Sequence, residues 1–119
     1  MEPVNLESKF ALFSEHWSPK ILARVNDFHV KAAKVQGEFV WHSHAETDEL
    51  FMPVKGSLVI EFRDHEVRLS PGEFLVVPQG VEHRPVAEEE CELVVFARAG
   101  TVNTGTTGGE LTVTSEPWI

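Results

Sequence analysis

The residues most able to do chemistry lie between Gly37 and Gly56, where His42 and His44 stand one residue apart and carboxylates follow at Glu46, Asp48 and Glu49. If Glu38 to His44 forms a β-strand, His42 and His44 share a face and aim both imidazoles at one point while Ser43 points away. Imidazoles with a carboxylate suit a divalent transition ion (Fe, Mn, Ni, Co, Cu or Zn) better than Mg or Ca. A third histidine would complete such a site. His16 lies in an aromatic N-terminal segment, His65 falls in an Asp64-His65 turn, and His29 has a bland setting. His83 differs, because it follows a tight Pro78-Gln79-Gly80 break that would deliver it to a pocket mouth.

The elements that would position these residues are short and β-rich. Lys20 to Asn26 alternates apolar with polar, Asn26-Asp27 turns, and Phe28 to Val35 answers it as a hairpin. After the expected Glu38–His44 strand and the loop Ala45 to Asp48 come runs at Glu49–Pro53, Leu58–Arg63, Glu66–Leu69, Phe74–Val77, Glu82–Val86 and Leu93–Ala97, with a short strand expected at Leu111–Thr114. Glu88-Glu89-Glu90 reads as a solvated turn, and residues 100–109 as a loop. Strands at this spacing predict an all-β sandwich or barrel. Ahead of them, Asn5 can cap a short helix carrying a Leu6, Phe10, Phe13, Trp17 stripe that covers the barrel or meets a second subunit. Two units follow: an N-terminal extension, residues 1–19, and a barrel, residues 20–119.

Composition narrows the partners. At 119 residues, 42% hydrophobic and 24% charged, the chain is expected to fold as one domain. A net charge of −9 argues against binding nucleic acid. No apolar run or leader-like opening points to a membrane, and the lone Cys91 suits a reducing compartment, so a cytoplasmic protein is expected. Flanked by Glu90 and Glu92, Cys91 reads as packing rather than as a nucleophile.

The two halves of the candidate site together resemble the cupins. Their first motif, a glycine, a His-x-His pair, a glutamate and a later glycine, reads here as Gly37, His42, His44, Glu49 and Gly56. Their second reads as Gly72, Pro78, Gly80 and His83. Two departures are visible: four residues rather than five separate Gly37 from His42, and Ala87 stands where an asparagine often closes the second motif. The resemblance implies a single conical jelly-roll barrel holding one divalent metal through His42, His44, Glu49 and His83. Four ligands on a six-coordinate ion would leave two positions for a small-molecule ligand. The implied function is a metal-dependent enzyme using the ion as a Lewis acid or for dioxygenase-like oxygen chemistry. A sugar-phosphate isomerase and a non-enzymatic binding or sensing module are the alternatives. Glu38 is a candidate acid or base if it shares the inward face of His42, unless a bulge at Gly37 shifts the parity. Phe39 and Trp41 are expected to pack between sheets, and Val40, Phe51 and Phe96 are candidate substrate-binding walls. A homodimer is expected from exposed sheet edges and the apolar N-terminal segment.

Overall fold

The structure, a computed structural model, describes residues 1–119. It contains one short helix, α1 (Leu6–Phe10), and seven strands: β1 (Lys20–Val25), β2 (Phe28–Glu38), β3 (Glu49–Lys55), β4 (Leu58–Glu61), β5 (Glu66–Leu69), β6 (Leu75–Val77) and β7 (Arg84–Arg98). Every strand pairing is antiparallel, in the order β1-β2-β7-β3-β6, with β4 joining β5 to β7. The result is the expected jelly-roll barrel. No helix is long and apolar enough to cross a membrane.

β7 is the seam of this barrel. Its C-terminal half is sandwiched between β2 and β3, so that Val95 faces Lys31 on one side and Phe51 on the other, while Ala97 lies between His29 and Glu49. Its N-terminal end pairs instead with β4, Val59 opposite Val86. Glu88-Glu89-Glu90 is therefore not a turn. The pairing with β2 steps from Val35–Cys91 to Gly37–Ala87, and the three exposed glutamates bulge out at that step without interrupting the strand.

Alternation places the core. Leu58 and Ile60 on β4 are fully buried, and they pack with Ala33, Val35, Phe51, Leu69, Val77, Cys91, Leu93 and Val95 in the main cluster. Each fully buried Leu or Ile contributes roughly 1.5–3 kcal/mol of apolar transfer. Burial, with Glu92 beside it, pushes the Cys91 thiol up to about 11, consistent with a packing role. On the outer face of the β1–β2 hairpin, Phe10 and Phe13 cover Leu22 and Ala32 in a second cluster. The N-terminal segment thus packs on the barrel. Asn5 caps α1 by accepting from the Ser8 amide at 2.9 Å, but the helix ends at Phe10, and Trp17 is carried separately by a left-handed turn (φ +57°).

Two expected strands are absent. Residues 39–48 form no strand; an isolated bridge pairs His42 with His83, and the Phe39 amide donates to the Pro85 carbonyl of β7 at 3.0 Å. Leu111–Thr114 is irregular, and it is the chain end that joins the sheet instead. The Ile21 amide donates to the Pro117 carbonyl at 2.8 Å, and the Ile119 amide to the Ile21 carbonyl at 3.1 Å. β6 alternates rather than being buried throughout: Val77 is inside, whereas Phe74 just before it and Val76 are exposed.

Candidate metal centre

His42, His44, Glu49 and His83 are all buried, and one ligand-type atom from each lies within 4.8 Å of all the others. The means of convergence is not the strand parity expected from sequence. His42 and His83 pair by reciprocal backbone hydrogen bonds, the His42 amide to the His83 carbonyl at 3.0 Å and the His83 amide to the His42 carbonyl at 2.9 Å. The Gly80 amide donates to the His44 carbonyl at 2.8 Å. The two histidine-bearing loops therefore brace each other, and β3 brings Glu49 in from the side.

The ring orientations are set by a pattern that occurs twice. His42 Nδ1 lies 2.9 Å from the Val40 carbonyl, and His83 Nδ1 lies 2.9 Å from the Val81 carbonyl. A carbonyl can only accept, so each Nδ1 carries the proton and each Nε2 turns a lone pair toward the cluster. Val-x-His at 40–42 and 81–83 is the sequence signal of this device.

The cluster has no internal solution for its polar atoms. His44 Nε2 and His83 Nε2 lie 3.2 and 3.4 Å from Glu49 Oε1. Yet all three atoms are buried without a properly aligned hydrogen bond. Leaving buried polar atoms unmatched costs about 1–3 kcal/mol each. A cation at their common focus would satisfy all three, so the donor set fits a divalent transition metal.

Burial, followed by the neighbouring His83, lowers His42 to about 4 and keeps its imidazole neutral, as a ligand must be. Metal-stripped protein should consequently lose stability on acidification. Because His42 titrates lower in the folded than in the unfolded chain, the unfolded state binds the extra proton as pH falls from about 6.5 to about 4. That single group costs on the order of 3 kcal/mol across the window. Chemical denaturation of chelator-treated protein at pH 7, 5.5 and 4 measures it, and a flat profile would contradict the buried neutral imidazole.

The other candidates fall in different places. Asp48 accepts from the Gln79 amide at 2.9 Å, and the Glu46 side chain is exposed, so neither joins the cluster. Glu38 is not inward: a register shift between Val35 and Gly37, with Gly37 at φ +83°, turns it out, where it is 65% exposed and pairs with Arg84 at 3.2 Å. Phe51 lines the cavity that opens beside His42 and Glu49, whereas Val40 does not, and Phe96 lies on the outer face stacked on Phe28. Phe39 is buried and stacks on Trp17 at 4.6 Å, both lining the cavity; Trp41 instead lies half-buried beneath Arg63. Lys31, Glu116 and Asn103 also line the cavity, although sequence reasoning passed over them. For Lys31 the signal was its place in the inward series His29, Lys31, Ala33, Val35.

Residues 29–97 match the Cupin_2 family, described as a cupin domain. The chain belongs to this cupin family. A cupin-2 domain containing protein from Shewanella frigidimarina NCIMB 400 is 49% identical, with a TM-score of 0.79 over 80% of this cupin and 93% of that chain. The Neisseria meningitidis protein NMB1881 is 33% identical, with a TM-score of 0.75 over 82% of this cupin and 100% of that chain. YdbB of Bacillus subtilis (strain 168), described as uncharacterized, is 41% identical over 64 residues, which span 53% of this cupin and 57% of YdbB.

Proposed function

We propose that this cupin is a divalent-metal enzyme acting on a small, largely apolar, oxygen-bearing molecule. The observation that carries the reading is the set of unmatched buried atoms on His44, Glu49 and His83 beside a cavity. His42, His44, Glu49 and His83 would hold one ion. When bound, that ion would supply Lewis-acid polarisation of a carbonyl or enol oxygen, or oxygen chemistry if it is iron. The chain itself supplies apolar walls, Val35, Phe39, Phe51 and Leu93 among them, that exclude water and favour an apolar substrate body.

The sugar-phosphate isomerase reading draws less support. Arg63 pairs with Glu82, and Arg84 with Glu61 and Glu38, outside the cavity. The inward cation Lys31 is already paired with Glu116. A binding or sensing module is the second reading, favoured by the outward position of Glu38, which leaves that carboxylate unable to serve as the acid or base.

Elemental analysis of untagged protein, followed by oxygen-electrode and stability measurements with acetylacetone, tests the proposal. One transition ion per chain with turnover supports the enzyme. A metal-bearing protein that acetylacetone stabilises without turnover supports the binding module. Protein that takes up no transition ion after reloading refutes both metal readings.

The cupin is also proposed to form a homodimer through β6, which ends the sheet order and exposes Phe74 and Val76 at 60% and 45%. Light scattering is expected to give twice 13.3 kDa for wild type and a monomer for Phe74→Asp. A monomeric wild type in dilute buffer would remove the proposal.

A further inference from the structure

The cavity beside the metal centre has a second group of polar side chains that the proposed chemistry leaves unused. Lys31, on the inner face of β2, and Glu116, delivered by the returning C-terminal tail, form an ion pair at 2.7 Å with side chains only 4% and 10% exposed. Both line the same cavity as His42 and Glu49. The strand register separates this group from the ligands. Ala97 lies between His29 and Glu49, two strand spacings or about 10 Å apart at the backbone, and Lys31 is one inward position along from His29.

Glu116 Oε1 takes Lys31, but Glu116 Oε2 is buried with no hydrogen-bond partner. A purely structural strut does not account for this. The tail is already anchored by the backbone bonds of Pro117 and Ile119 to Ile21, and an apolar pair would seal the barrel end at no greater cost than two buried charges. The other polar side chains on this wall are occupied: Asn103 Nδ2 donates to the Leu111 carbonyl, its Oδ1 accepts from the Val113 amide, and Thr101 Oγ1 donates to the Arg98 carbonyl.

We infer that Lys31 and Glu116 form a second polar pole of the cavity, at which Glu116 Oε2 accepts a hydrogen bond from a hydroxyl or amino group of a small, otherwise apolar ligand. Lys31 fixes the carboxylate in place through Oε1; the walls between the poles, Ala33, Phe51 and Val95, contact the ligand body. The cavity has a volume of about 60 Å³, which limits the ligand to a compact molecule. His29 Nδ1, also buried and unpartnered, lines the adjoining pocket, which Glu116 borders as well.

This inference rests on the proposed function only in placing the ligand in the same cavity, and its test uses metal-stripped protein so that the two can fail separately. Phenol and toluene are titrated by ligand-observed NMR. An apolar cavity without an acceptor prefers toluene, because phenol gives up its hydrogen bond to water. With Glu116 Oε2 as acceptor, phenol is expected to bind at least about ten-fold tighter. Glu116→Gln keeps a carbonyl for Lys31 but replaces the acceptor by a donor, so the preference should fall to within two-fold while the melting transition and metal uptake persist. Equal binding of the two probes to wild type, or binding of neither, overturns the inference without reference to any variant. So does a phenol preference that survives Glu116→Gln, including one that disappears only in His29→Ala, which would put the donor in the adjoining pocket. Failure of wild type to take up metal sinks the metal reading and leaves the phenol result intact.

Discussion

Replacing His44 by alanine is expected to reduce the metal content of purified, desalted protein from one ion per chain to less than about a tenth, with the barrel still folded. The ring is one of three donors whose buried atoms have no aligned partner, so its loss removes a ligand and leaves Glu49 Oε1 with His83 alone beside it. Loss even of a group that merely orients a ligand typically costs 10–100-fold in metal affinity, and loss of the ligand itself should exceed that. Folding should survive because His44 sits in an irregular loop outside the main apolar cluster. His83→Ala is the harsher change: that ring is 1% exposed and packs edge-on to Phe51 at 5.8 Å, so a cavity would be left as well. Elemental analysis should be paired with the thermal shift on adding Zn²⁺. Saturation at a hundred times Kd stabilises wild type by about 2.7 kcal/mol and should leave His44→Ala nearly unmoved. A variant that keeps full metal content would show that the ion, if any, is held elsewhere.

Gly105→Ala should destabilise the protein by about 2–4 kcal/mol and loosen the metal site, although residue 105 touches no ion. The loop 100–109 closes over the histidine loop: Thr107 Oγ1 donates to the Trp41 carbonyl at 2.9 Å, and Thr104, fully buried, pairs with Thr112 at 2.7 Å. Gly105 has φ +57°, and a Cβ there would press into the Ser43 carbonyl oxygen and come within 3.6 Å of His44 Nδ1. The left-handed conformation alone costs an alanine roughly 1–2 kcal/mol. The collision is with backbone, so one loop must move, and the one that moves carries either Ser43, between His42 and His44, or the clamp above them. Chemical denaturation should show the lost stability, and stopped-flow transfer to a chelator should show faster metal release. Unchanged release with lowered stability would mean that the clamp supports the fold but not the centre.

Much of this was legible in the residues because the signals were local. Turn residues and short apolar runs marked most strands, and the histidine pair, Glu49 and the Pro-x-Gly-x-x-His spacing marked the four clustered side chains. Where local rules misled, a distant partner had overridden them. Glu88 to Glu90 has turn-like composition, yet β7 continues through it because β2 pairs with it on both sides of the bulge. The histidine loop reads as a strand by alternation, but its backbone groups pair with residues 80–83 and leave only one bridge. Glu38 shares parity with His42 on paper, and the bulge before Gly37 cancels it.

The sequence by itself determined which side chains are available as ligands and that an all-β sandwich or barrel holds them, because ligand chemistry and strand-turn spacing are properties of residue type and separation; the jelly-roll form was what the resemblance of the two motifs to the cupins implied. Tertiary structure alone decided what faces them. Lys31 comes from β2 and Glu116 from a tail 85 residues further on, and they meet because the chain end pairs with Ile21 and folds back over the barrel mouth. No period or motif encodes such a meeting; it depends on where antiparallel pairing closes the barrel, and that closure also leaves Glu116 Oε2 buried and without a partner.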